Sequence, residues 1–349
     1  MTHTRFESIG AYLPSTVVPT RDLVARMKHT PPFDLETVTG IRRRHVHDTT
    51  SESYEDSFTM ALRAAGECLG RSRYAAADLD VIISTSITRF RGPDRFYFEP
   101  SFALMLADEL GARSAIHFDV SNACAGMITG VQILDRLIKA GVVRNGMVVS
   151  GEQITAIAET AVREITDPYD PQFASLTVGD SAAAAILDES TDENDRIHYV
   201  ELMTCAEYSH LCIGMPSDAN QGIALYTDNQ QMHKEDRLRL WPSFQGDLLA
   251  KMGRTFADEQ FDYVIHHQVG TRFIAKINRF GEAAFGSPMP ESPAVVSDTG
   301  NTSSTSHFVV LHEYLKAGRV RPGAKFLLVP AASGVVTGCL SATVSSLEV

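Results

Sequence analysis

Ala115-Ile-His-Phe-Asp-Val-Ser-Asn-Ala-Cys-Ala-Gly126 is the stretch on which the reading of the fold turns. Ala115–Ser121 has the apolar run of a strand, and the residues from about Ala125 to Ala140 then take helical periodicity, closed by Gly141. Outward from this unit the pattern recurs. Asp80–Ser86 reads as a buried strand, Pro100–Leu110 as a helix ended by Gly111, and Met147–Ser150 as a further strand. Downstream, the pattern predicts a helix over Ser243–Phe256, a strand over Asp262–His266 and a helix near Thr271–Phe280. Another helix is expected over Phe308–Leu315, with closing strands at Lys325–Val329 and Cys339–Val344. The polar stretch Asp188–Asp195 separates the two series, so the expected units are residues 1–188 and 196–349. This is an α/β chain in two halves, without a tandem repeat of the solenoid kind.

Composition narrows the function. Hydrophobic residues are 44% and charged residues 21% of 349, as in a folded globular protein. The net charge of −12 argues against a broad nucleic-acid surface. The five cysteines are scattered, with no CxxC pair, so neither a zinc ribbon nor a disulfide framework is expected. The first residues have no apolar signal core, and no run approaches the roughly 18 apolar residues of a spanning helix. A reduced, soluble, cytoplasmic protein is the expectation.

Three residues stand where chemistry is placed in α/β folds, at strand or loop ends. Cys124 lies at a strand–helix junction, where the positive end of the helix dipole is expected to lower its pKa. His267, in Val264-Ile-His-His-Gln268, follows a strand, and Asn301 lies in Thr299-Gly-Asn-Thr-Ser-Ser304 before a helix. Singly, each has a commoner reading: a core thiol, a core imidazole, a turn amide. Together they supply a nucleophile, an acid/base and a polariser. The same order occurs in papain-like proteases, whose local cysteine pattern is absent here. The other four cysteines are read as core or incidental, and Gly179–Ala185, which lacks nucleotide-loop spacing, as a close-packed strand.

These residues resemble the thiolase superfamily, in particular its β-ketoacyl-acyl-carrier-protein synthase III branch. The resemblance runs through Ile9–Pro14, Thr39–His45, Asp119–Gly126, Gly179–Ala185, His267-Gln268, Gly300–Ser303 and Ser333-Gly334. The spacing, 143 residues from Cys124 to His267 and 34 more to Asn301, makes the combination specific. The resemblance implies two α/β halves in a five-layer αβαβα sandwich, assembled as a homodimer. It implies that Cys124 accepts an acyl chain and that His267 and Asn301 bind the carbonyl of a second thioester. Backbone N–H groups of Cys124, Ser333 and Gly334 would form an oxyanion hole. No metal or redox cofactor is implied, only coenzyme A or phosphopantetheine as the carrier of the substrate.

Two departures from that family qualify the expectation. Asp34 and Gln172 stand where fatty-acid-initiating members carry a tryptophan and an arginine that grip the adenine of coenzyme A, and the only tryptophan is Trp241. Secondly, Tyr97-Phe-Glu-Pro-Ser101 is similar to the glutamate loop of head-to-head condensing synthases that make olefins and pyrones. There the glutamate enters the partner subunit's site as the base of a non-decarboxylative Claisen condensation. Glu99 also has a plainer reading, as a helix-start charge beside Pro100. Arg42–Arg44, Arg272 and Arg279 are candidates to meet an acidic carrier protein, or simply solvated charges. Two rivals stand beside the condensing enzyme: an acyltransferase to an alcohol or amine, and a silent partner in a heterodimer.

Overall fold

The computed structural model describes residues 3–48, 50, 54–92, 95–167, 169–347 and 349. One sheet runs in the order His3–Tyr12, Ser181–Ser190, Asn145–Glu152, Val81–Ser84, Ile116–Asp119. Its first two pairings are antiparallel and its last two parallel. The second sheet repeats that scheme with Arg196–Thr204, Val336–Val344, Ala324–Val329 and Tyr263–His266, paired in the same senses. Ala331–Ala332 adds a short pairing on Val336–Val344. Where the first sheet carries its fifth strand, the second has, among the described residues, a parallel bridge between Tyr263 and Glu291. The first sheet is drawn entirely from residues before 191 and the second from residues after 195.

Strand alternation explains the layering. Ala183, Ala185 and Leu187 face a central core, whereas Ala182, Ala184 and Ile186 face an outer one. The central core holds Ile128 and Val131 from the Gly126–Lys139 helix and Phe308 and Leu311 from the Ser306–Lys316 helix, with Phe326 and Leu328 of the second sheet opposite. The outer face of the first sheet is covered by the Ser57–Arg71 and Phe102–Leu110 helices. The Leu240–Lys251 and Thr271–Phe285 helices cover the second, packing Trp241, Leu249 and Ile277 on Leu327, Val329 and Cys339. The layers are therefore α, β, α, β, α, which is the thiolase architecture.

Element ends moved for identifiable reasons. The helix expected over Ser243–Phe256 runs from Leu240 to Lys251: Pro242 sits in its first turn, where a missing N–H is harmless, and Gly253 stops it in the left-handed region. The acidic seam is only partly a solvated turn. The strand continues to Ser190, and Asp188 and Asp195 are buried, both paired with Arg5 at 2.9 and 3.1 Å. These two carboxylates tie the start of the chain to the junction between the halves.

Candidate active site

The two central helices begin alike. Ala123–Ala125 forms a 3-10 turn ahead of the Gly126–Lys139 helix, and Ser303–Thr305 forms one ahead of the Ser306–Lys316 helix. Each turn opens on a residue in the left-handed region, Ala123 at φ 44° and Ser303 at φ 58°, a conformation costing about 1–3 kcal/mol for a residue with a side chain. Cys124 and Ser304 thus hold equivalent, central positions in the two turns. The starts of the two helices converge, and the Cys124 Sγ lies 3.6 Å from the Ser303 Oγ. Gly126 permits the approach: a Cβ there would come within 3.0 Å of the Thr85 carbonyl oxygen and 3.5 Å of the Ser304 Cβ. Below, buried Glu152 ties both layers together, accepting from Thr88 Oγ1 at 2.9 Å and Ser304 Oγ at 2.6 Å.

Cys124, His267, Asn301 and Ser333 line one cavity of about 180 Å³. It is continuous with a wider mouth of about 740 Å³ through shared walls at Thr177, Thr227, Asn229 and Phe273. His267 follows the Tyr263–His266 strand; its backbone N–H donates to the Val329 carbonyl at 3.1 Å, and its Nδ1 has no partner among the described residues. Asn301 is fixed by a bridge to Val178: its N–H donates to Thr177 O at 2.9 Å and its carbonyl accepts from Gly179 N–H at 3.0 Å. The side-chain Oδ1 accepts from Ser303 N–H at 3.0 Å, so the group Asn301 has to offer a ligand is its Nδ2–H donor.

Burial decides the charge states. It pushes the Cys124 thiol up to about 12, the opposite of what the helix start alone suggests; Ser303 pulls the other way, and Glu152 adds to the rise. Burial also depresses His267 to about 3 and His307 to about 4. The rings of these two histidines lie 6.0 Å apart, and His307 Nε2–H donates to Val329 O at 3.0 Å. The resting site therefore holds a neutral thiol and a neutral imidazole rather than an ion pair.

Other expected residues fall outside this cavity. Arg44 is not a surface charge: it is buried, with its guanidinium donating to Leu176 O and Val178 O and to Thr20 Oγ1 at 2.8 Å. Arg42 and Arg43 share Asp298, each at 2.9 Å, so Arg42 is already engaged. Arg272 and Arg279 are exposed on the Thr271–Phe285 helix, Arg272 next to Gly270 and Phe273 of the mouth. Gln172 is buried and donates to Glu164 at 3.0 Å, and Asp34 caps the Leu35–Thr39 helix, so neither forms an adenine clamp. Glu99 is exposed, behind a Phe98 that is 78% exposed, and is not part of its own chain's cavity.

Two wall residues were not singled out by the sequence reading. Cys212, taken as incidental, lines the cavity and accepts from Ser333 Oγ at 2.9 Å. Trp241 lines it too, noted in the sequence only as a solitary tryptophan. Each comes from a segment without a motif, and only tertiary packing brings them to Cys124.

Comparison with known proteins agrees with this geometry. Residues 118–205 match the model of 3-oxoacyl-[acyl-carrier-protein] synthase III, and residues 253–344 match that of its C-terminal part. The β-ketoacyl-[acyl-carrier-protein] synthase III of Deinococcus deserti is 29% identical over 94% of this chain and 87% of its own length. That of Methylococcus capsulatus is 28% identical over 96% and 97%. Among solved structures, Xanthomonas campestris OleA with bound lauric acid and lauroyl-CoA superposes with a TM-score of 0.82 at 21% identity, covering 98% of this chain and 99% of that one. FabH of Pseudomonas aeruginosa gives 0.77 at 21%, covering 98% of each. With the duplicated fold and the Cys, His and Asn in one chamber, these matches identify the chain as a member of the β-ketoacyl-acyl-carrier-protein synthase III family of the thiolase superfamily, a condensing acyltransferase.

Proposed function

We propose that an acyl thioester transfers its acyl group to Cys124, and that a second thioester then supplies the carbanion that attacks it. In the first step the Cys124 sulfur bonds to the acyl carbon, the carrier thiol leaves, and the thiol proton passes to the leaving sulfur. In the second, the carbonyl of the incoming thioester accepts from Asn301 Nδ2–H and from His267 as its enolate forms. Attack on the acyl-cysteine makes the carbon–carbon bond and returns the thiolate. Donors preorganised for developing negative charge carry much of such catalysis. The observation that carries the reading is the common chamber of Cys124, His267 and Asn301 at the converging helix starts.

The carrier is coenzyme A or an acyl carrier protein. Arg272, Lys276 and Arg279, at i, i+4 and i+7 beside the mouth, offer an acidic carrier a basic stripe, and that stripe favours the protein carrier. In this reading the enzyme is a homodimer and Glu99 acts across the interface as the base of a non-decarboxylative condensation. Its exposure behind Phe98 and its absence from the lining of its own chamber suit a residue that serves the other subunit. The test is Glu99→Gln with two substrate pairs. Condensation of two non-malonyl acyl thioesters should be lost while acyl transfer to Cys124 continues. If both variant and parent condense only malonyl thioesters, with release of carbon dioxide, the enzyme is decarboxylating and Glu99 has no such role.

A further inference from the structure

The chamber that holds Cys124 is shallow, and one helix measures its depth. Phe273, Ile277 and Gly281 stand four residues apart on one face of the Thr271–Phe285 helix, each about 6 Å further along its axis. Phe273 lines both the mouth and the chamber, Ile277 the chamber alone, and Gly281 neither. Trp241 stands between Gly281 and the chamber. It lines the chamber, yet its six-membered ring lies on Gly281, where a Cβ would meet Cζ3 at 3.2 Å and Cη2 at 3.4 Å. Phe285, which lines no part of the chamber, packs edge-on against the indole at 5.6 Å, and His266 does so at 5.0 Å. The indole is therefore the end wall in this direction, with the cavity before it and the packed core of the second sheet's outer layer behind it. Leu238, Leu240 and Ile277 complete an apolar surround.

Volume decides what such a space can hold. The chamber has about 180 Å³, against about 740 Å³ for the mouth. An apolar cavity of about 150 Å³ is filled by a six-carbon ring. A much longer chain would have to displace Trp241, and overfilling a packed site is unfavourable in its own right. We propose that Cys124 accepts short apolar acyl chains, of about six carbons, and that Trp241 is the specificity-determining residue that sets the limit. This rests on acylation of Cys124 and names the substrate class of that step. The wider mouth is left to the arm of the carrier.

The test measures initial rates of acyl-adduct formation on Cys124 by intact mass, using pantetheine thioesters of straight chains from two to twelve carbons. In the parent enzyme the rate should peak near six carbons and fall about tenfold or more by ten, since even one methylene too many in a closed pocket is worth about tenfold. Trp241→Leu frees room for about two more carbons, so its peak should move to about eight. Gly281→Ala works from the other side. Its Cβ would crowd the indole at 3.2 Å and Met289 Sδ at 2.9 Å, pressing the ring toward the chamber, and the ratio of eight-carbon to four-carbon rates should fall several-fold. Damage to the fold would slow all lengths together, whereas a moved wall shifts the preference outward in one variant and inward in the other. A parent enzyme that takes twelve carbons as fast as six would overturn the proposal, and this arm needs no variant. So would a length preference that both variants leave unchanged. No adduct from any chain would instead remove the acyl-cysteine reading itself, and the limit with it.

Discussion

Asn301→Asp separates the two half-reactions with little disturbance. The Asn301 Oδ1 accepts from Ser303 N–H at 3.0 Å, and Ser303 Oγ stands 3.6 Å from the Cys124 sulfur. Asp keeps that acceptor and the backbone bridge to residues 177–179, but turns Nδ2–H into an oxygen and, when ionised, adds a negative charge. The hydrogen bond to Ser303 is therefore retained, while the enolate loses a donor and meets a like charge. Losing one such donor costs about 2.7–4 kcal/mol, or about 10²–10³ in rate. Asn301→Ala removes the same donor without adding a charge but also frees the Ser303 N–H, so it should lose condensation as well and, unlike Asn301→Asp, destabilise the fold. The assay is paired: acyl-Cys124 by intact mass on the seconds scale, and condensed product by chromatography with the second thioester present. The expected result is normal acylation with condensation reduced by those two to three orders. If Asn301→Asp fails at acylation while its melting temperature is unchanged, the assignment of Asn301 to the second substrate is wrong.

Cys124→Ser should fold normally and form no acyl adduct, and iodoacetamide should label Cys124 in the parent; labelling of another cysteine in its place contradicts the assignment. Because burial holds the resting thiol up to about 12, the alkylation rate of Cys124 should still climb about tenfold per pH unit between pH 7 and 9, and a plateau below pH 8 would show a thiolate at rest. His266, His267 and His307 are depressed to about 4, 3 and 4, so their contribution to stability is complete above the unfolded value near 6.5 and is lost as pH falls towards 4. In that window His307→Gln should flatten the pH dependence of the unfolding free energy by about 1.4 kcal/mol per unit, read from urea titrations; an unchanged slope would contradict a neutral buried His307. Gly179→Ala places a Cβ against the Thr299 carbonyl oxygen. It should cost about 1–3 kcal/mol in stability and slow condensation more than acylation, and a variant indistinguishable from the parent would show that the Asn301 loop yields freely.

The sequence carried the parts of this site that are local. A strand running through small residues into a helix announces Cys124, and the ends of the Tyr263–His266 strand and of the Gly300 turn announce His267 and Asn301. Glycine placement forecast which helices close, but Pro242 moved one start because proline in a first turn looks the same as proline before it. Burial of charge was not legible. Nothing in Arg42-Arg43-Arg44 says that Arg44 turns inward onto backbone carbonyls while its neighbours share Asp298. The same is true of the thiol's charge state, which depends on depth rather than on the helix start. Cys212, Arg237 and Trp241 reach the chamber from segments whose periodicity describes only their own helices and strands. A wall assembled from distant segments has no local signature.

The mirrored turns at Ala123 and Ser303 have a consequence for how such an enzyme can change over evolutionary time. In the proposed reaction the nucleophile comes from the first half and the enolate donors from the second, and the two helix starts meet at Cys124 and Ser303 as the common axis of the site. Neither half owns a reaction. Either can drift where its outer helices cover its own sheet, but where the helix starts meet, a change in one half is felt by the other. Exchange of whole halves between relatives should therefore yield folded chimaeras readily and active ones rarely. The inventive part of such a protein is its periphery, the walls and mouth where Trp241, Arg237 and the basic stripe stand, since new substrates can be admitted there while the inherited axis is left alone.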